Sequence, residues 1–189
     1  EENYKIISSV TGMNNIFHES VVFLRAVRPS KKTALNDHIG FHRETMYSDT
    51  PSQTANAHNM WIPLTTPTEK TAVRYYPKSH LLPDDYLEWS VDNSPSNISK
   101  GSYGHKLGSA YLPKSITKGL ERYTEEKMLP NLDQFALFSA MTVHGAGVNN
   151  SDKIRLSLSM AMIESDQITY NKPYTAADGK PHYSELISR

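Results

Sequence analysis

Apolar and polar residues alternate in short runs along most of the chain, the period-two pattern of half-buried strands. "SVVFLRAV" (Ser20 to Val27), "HIGFHRETMY" (His38 to Tyr47), "HNMWIPLT" (His58 to Thr65) and "TAVRYYP" (Thr71 to Pro77) read as strands. "DQFALFS" (Asp133 to Ser139), "MTVHGAGV" (Met141 to Val148) and "KIRLSLSMAMIE" (Lys153 to Glu164) continue the series. Pro-rich and polar clusters separate them, and "NNSDK" between the last two reads as a hairpin connection. Helical periodicity is scarce. It predicts one helix over Ser115 to Met128, with Ile116, Leu120 and Tyr123 on one face. Many short strands predict a sandwich or jelly roll. The stretch from about Leu81 to Met128 has few strand signals and reads as an insertion of loops and that helix, the kind of segment that borders a binding site.

The last strand carries the cleanest alternation. Ile154, Leu156, Leu158, Met160 and Met162 form one face, which must pack against a helix or a second sheet. Arg155, Ser157, Ser159 and Ala161 form the other. A solvated face would carry more Lys, Glu and Thr. Small residues beside one arginine suit an interior pocket that receives a carboxylate, gripped by the guanidinium and the Ser157 hydroxyl. The competing reading is an exposed arginine on an edge strand.

Composition narrows the chemistry. The 189 residues are enough for one domain with a sizeable core. Twenty basic residues balance twenty acidic ones, so charge gives no case for nucleic acid or an anionic membrane. No apolar run approaches the roughly 20 residues that span a bilayer, and no secretory signal opens the chain. There is no cysteine, which excludes disulfides and thiolate metal sites and fits a cytoplasmic location. A metal here must use His, Asp, Glu or neutral oxygens.

"GFHRETMYSDT" (Gly40 to Thr50) offers such ligands. On a strand, His42 and Glu44 would project to one face, and a histidine from another strand would complete a facial triad with open coordination positions. Chance supplies about one H-x-[DE] in a chain with eight histidines and twenty acidic residues, so the pair alone is weak. His18, His38, His58, His80, His105, His144 and His182 are the candidate third ligands. His144 stands out because it follows an apolar run and precedes "GAG", where backbone can approach closely. A lone histidine at a strand end is otherwise a buried, satisfied one.

His42-x-Glu44, His144, Arg155 and Ser157 agree in order and spacing, with Arg155 eleven residues past His144. The combination resembles the iron(II)/2-oxoglutarate-dependent oxygenases. "NMWIPLTTPTEKTAVRYYPKSH" and "NLDQFALFSAMTVHGAGVN" resemble the phytanoyl-CoA hydroxylase-like branch, covering Ile39 to His80 and Asn131 to Ile163 together with the last strand. Three departures bear on the subfamily. Glu44 stands where aspartate is commoner, as in clavaminate synthase-like enzymes. Lys78 replaces the glycine of the branch's P-G-S-H, and Leu132-Asp133 replaces its G-D.

The resemblance implies a mainly β double-stranded β-helix, a cupin-like jelly roll with a helix and loop insertion, forming one oxygenase domain over residues 1–189. His42, Glu44 and His144 would bind iron(II). Arg155 and Ser157 would bind the distal carboxylate of 2-oxoglutarate. Asn59 and Trp61 lie on the next strand, which lines the co-substrate pocket in that family, so one or both would contact it, with Trp61 as plain core the competing reading. Dioxygen would be the oxidant. With Glu44 present, hydroxylation or a related oxidation is implied rather than halogenation. Arg43 is a candidate substrate contact or neighbour of the ligands. The presumed walls are rich in Tyr, Ser, Asn, Thr and Lys, which suits a small hydrophilic substrate such as a sugar, amino acid or nucleotide-linked metabolite. Two rivals stay open: a cupin-type metal enzyme without 2-oxoglutarate, and a non-catalytic carbohydrate-binding β-sandwich.

Overall fold

In the computed structural model, the described residues are 2–19, 22–29, 40–48, 51–91 and 114–168, with the backbone of 183–185. The strands are β1 (Ile16–Glu19), β2 (Phe23–Val27), β3 (His58–Pro63), β4 (Val73–Tyr75), β5 (Glu88–Val91) and β6 (Lys114–Lys118). They continue with β7 (Glu126–Met128), β8 (Ala136–Ser139), β9 (His144–Ala146), β10 (Arg155–Glu164) and β11 (Tyr183–Glu185). Helix α1 (Glu2–Thr11) precedes them, and a single turn, α2 (Pro51–Thr54), precedes β3.

The major sheet runs β11-β1-β10-β3-β8, with β2 also on β10, and the minor sheet runs β7-β4-β9. All described pairings are antiparallel. Trp61 on β3, Val73 on β4 and Met128 on β7 pack together with Tyr75, Ala136 and Phe138, closing the space between the sheets. This is the double-stranded β-helix the sequence led to.

Strand β10 is the spine, pairing with β2 along its first half, β1 along its second and β3 along its other edge. The apolar face of β10 does pack on a helix. Met162 and Met60 meet Ile7 of α1, together with Met13 and Ile16, in one buried cluster. The patterning did not predict α1, because its apolar stripe is poor: Ile6 and Val10 are exposed and Ile7 is its one buried residue. Gly12 ends the helix at φ 76°, and its amide bonds the Ser8 carbonyl at 2.8 Å.

Three local expectations fail. Ser115 to Met128 is not a helix. Thr117 and Ile116, β-branched, lie in β6, which pairs antiparallel with β5. Gly119 then turns the chain at φ 98°, with Tyr86 so close that a Cβ would lie 2.3 Å from its carbonyl oxygen. The insertion among the described residues is therefore strands and 3-10 turns; residues 92–113 of it lie outside the described set. "NNSDK" is no hairpin either, since β9 and β10 belong to different sheets. Asn149 organises this crossing, donating to the carbonyls of Val27 at 2.8 Å and Lys153 at 2.7 Å. Finally, His38 to Tyr47 is not a regular strand: residues 38–39 lie outside the described set, and beyond them only His42 makes a bridge, to His144, before a 3-10 turn opens at Glu44.

Candidate metal centre and carboxylate pocket

The bridge brings the sequence-distant ligands together. The amide of His42 bonds the carbonyl of His144 at 2.9 Å, and the reverse bond is 3.0 Å. The close pairing depends on Gly145, where a Cβ would stand 3.1 Å from the backbone of Gly40 and Phe41. Two residues on, the Glu44 amide bonds the Ala140 carbonyl at 3.1 Å. His42 and Glu44 thus converge through a bridge followed by a turn, not through the alternation of one strand.

Both imidazoles are buried and held by Nδ1. His42 Nδ1 is 2.8 Å from the Gly40 carbonyl and His144 Nδ1 is 2.9 Å from the Thr142 carbonyl. A carbonyl can only accept, so each Nδ1 carries a proton, and Nε2 is the atom that each ring turns toward Glu44 and could offer to a metal on losing its own proton. The Nε2 atoms lie 3.9 Å (His42) and 3.2 Å (His144) from Glu44 Oε1. One ligand atom from each of the three residues falls within 4.8 Å of the others. Burial, aided by the neighbouring His144, lowers the His42 pKa to about 4. Burial pushes Glu44 upward, but the hydrogen bond from His144 and the charges of the imidazoles outweigh it and hold the carboxyl at about 2. At neutral pH His42 is neutral and Glu44 anionic, as a divalent cation requires. Two nitrogens and one oxygen with an open side suit a 2-His-1-carboxylate centre. His18, His58 and His80 do not join it; His38, His105 and His182 lie outside the described residues.

Asn59 and Trp61 project from β3 toward the same interior. Asn59 Nδ2 donates to Glu44 Oε1 at 3.0 Å, so it braces the carboxylate. Trp61 is buried in the core between the sheets, with the Arg155 guanidinium 6.0 Å from its ring centroid. Arg155 and Ser157 are buried on β10, at 4% and 0% exposure. Arg155 Nη1 donates to the Thr71 carbonyl at 3.2 Å, while Arg155 Nε and Ser157 Oγ have no hydrogen-bond partner among the described residues. Buried polar atoms normally find partners, so these two, side by side on one face of β10, are free to accept or donate to a polar group; Arg43 Nε, His58 Nδ1 and Arg74 Nε are likewise unpartnered among the described residues.

One residue of this interior escaped the sequence reading. Arg25 on β2 stands opposite Ser157 in the ladder, with Phe23 and Val27 on its face. Its charge reaches His42, Glu44 and Arg155. Burial, and then Arg25, lower the Arg155 pKa to about 10, which leaves it cationic at neutral pH. The alternation F-L-R-A-V, with exposed Leu24 between Phe23 and Arg25, was the signal that could have found it.

The profile described as Phytanoyl-CoA dioxygenase (PhyH) matches residues 8–157. The chain belongs to the phytanoyl-CoA dioxygenase family. Its match runs from the last turn of α1 through the metal trio to the first part of β10, ending on Ser157. Among solved structures, this family member is similar to the non-heme alpha ketoglutarate dependent epimerase SnoN from nogalamycin biosynthesis. The TM-score is 0.56 at 19% identity, over 97% of this chain and 66% of that one. It is similar to the apo non-heme monooxygenase ThoJ, with a TM-score of 0.56 at 18% identity over 85% of this chain and 50% of that one. It is also similar to the carbocyclase SnoK, with a TM-score of 0.53 at 14% identity over 85% and 55%. These likenesses are of fold. The chain spans about half to two thirds of the length of these structures. No curated protein matches the sequence.

Proposed function

We propose that this chain is the core of an iron(II)- and 2-oxoglutarate-dependent dioxygenase that oxidises a small hydrophilic metabolite, releasing succinate and carbon dioxide. The observation that carries the reading is that two sets of polar groups share one interior. The His42–Glu44–His144 trio has its donor atoms converged, and Arg155 and Ser157 offer unpaired buried donors on the face that also bears Asn59. A cupin enzyme without 2-oxoglutarate would use the first and leave the second unexplained. A carbohydrate-binding sandwich would need neither.

The residues divide the work. His42, Glu44 and His144 hold the metal, each imidazole fixed in the Nε2-ligand tautomer by its backbone carbonyl. Arg155 and Ser157 hold the distal carboxylate of 2-oxoglutarate by charge-assisted hydrogen bonds. Asn59 keeps Glu44 oriented, and Trp61 walls the pocket from water beside the guanidinium. Iron, when bound, supplies the activation of dioxygen that no side chain here can perform. Glu44 occupies the carboxylate position, so the outcome is hydroxylation, desaturation or ring closure, not halogenation.

The test is succinate formation from 2-oxoglutarate with iron(II) and ascorbate, repeated with a panel of sugars, amino acids and nucleotide conjugates. Substrate-dependent succinate release supports the reading. Metal binding without any binding of 2-oxoglutarate would return the cupin alternative.

A further inference from the structure

Arg43, between the two ligands of the H-x-E pair, is the largest fully buried side chain among the described residues, at 0% exposure. Its guanidinium is turned to another segment. Nη2 donates to the carbonyls of Ser79 at 2.6 Å and Leu82 at 2.7 Å, and Nη1 donates to the Asp84 carboxylate. The same segment reaches the other ligand. Ser79, also fully buried, accepts the Val143 amide on its hydroxyl at 2.8 Å, and that hydroxyl donates to the Tyr76 carbonyl at 2.6 Å. The Tyr76 amide in turn bonds the Val143 carbonyl at 3.0 Å. Val143 is the residue before His144.

The turn over residues 76–84 therefore grips both halves of the trio, one through Arg43 and the other through Val143. We propose that Arg43 is a positioning residue: seated on Ser79, Leu82 and Asp84, it sets the spacing of His42 and Glu44 against His144 without touching the metal. This rests on the metal reading of the trio. An ion pair between this buried guanidinium and the exposed Asp84 carboxylate contributes little net stability, because solvent screens the attraction and desolvation of the arginine offsets it. What a planar guanidinium bonded to three acceptors does supply is fixed geometry. Asp84 and Leu82 lie in the insertion, so the clamp also anchors the start of that insertion to the ligand pair.

Cobalt(II) is the probe, titrated into the full chain and followed by its visible ligand-field bands alongside thermal melts. R43M and D84N are compared with I7A, which removes core contacts under α1, remote from the trio. The expected result is a loss of cobalt affinity of about 10-fold or more in R43M, in the range seen when partners of metal ligands are removed. Its bands shift as well. D84N shows a smaller change of the same kind, and I7A melts earlier with unchanged affinity and bands. Asp84 is largely exposed, so D84N keeps the test alive if R43M does not fold. Wild-type affinity and bands in folded R43M or D84N overturn the proposal, as does an equal loss in I7A. If the wild type itself binds no cobalt, the metal reading falls and this proposal with it.

Discussion

Asn59 Nδ2 and Glu44 Oε1 are 3.0 Å apart, and that oxygen also lies 3.2 Å from His144 Nε2. The carboxylate is half-exposed, so without Asn59 its orientation would rest on the imidazoles alone. N59A should therefore weaken iron(II) or cobalt(II) binding by about 10-fold. Isothermal titration would measure it. Unchanged metal affinity with a raised KM for 2-oxoglutarate would instead place Asn59 against the co-substrate.

Arg155 combines burial, a second arginine across the ladder and one carbonyl partner. The buried Arg155 guanidinium therefore carries its charge at a desolvation cost, which an incoming carboxylate would relieve. R155M should lose 2-oxoglutarate affinity by roughly 10- to 100-fold, the worth of a charge-assisted contact. The metal-free variant should melt no lower than wild type. Saturating 2-oxoglutarate with a redox-inert metal should raise the wild-type melting temperature and leave that of R155M where the metal alone puts it. A large drop in the apo melting temperature of R155M would mean the arginine is structural.

How far these features were legible follows from where their partners sit. Arg155 and Ser157 could be read because β10 alternates strictly and its inner face is small and polar, a local signal. His144 could be read because an apolar run ends on it beside Gly145. The turn at Glu44 could not, because the Ala140 carbonyl that receives its amide is on a remote segment. Arg43 was open for the same reason: its acceptors lie 36 to 41 residues away. Helix α1 was missed because tertiary contact with Met60 and Met162, rather than its own periodicity, makes it worth forming.

The metal-free protein should lose stability on acidification in a defined window. Burial holds the folded pKa of His42 at about 4, against the unreduced value of 6.5 in the unfolded chain. Between these values the unfolded chain takes up a proton that the folded chain refuses, so stability falls as pH falls. It is intact above pH 6.5 and declines toward pH 4, by up to roughly 3 kcal/mol. Glu44 continues the decline below pH 4.5, since its folded value of about 2 lies under the unfolded one. Urea melts from pH 8 to 4.5 would show it. H42N should flatten the slope between pH 6.5 and 4.5, and a wild-type profile already flat there would refute the assignment.

Lys78 is the described non-glycine residue with positive φ, at 64°. It caps the 3-10 turn Ser79–Leu81 and precedes the serine that bonds Val143. Its side chain is exposed and offers the turn no capping bond. The left-handed conformation costs an L-residue about 1–2 kcal/mol, which glycine avoids while adding about 0.5–1 kcal/mol of unfolded-state entropy. K78G should therefore stabilise the fold by about 0.5–1 kcal/mol, restoring the glycine of the P-G-S-H pattern. K78A keeps the strained backbone and should stay close to wild type. Paired thermal melts decide it. A K78G melting temperature below that of K78A would show that the lysine side chain holds the turn through contacts rather than merely tolerating it.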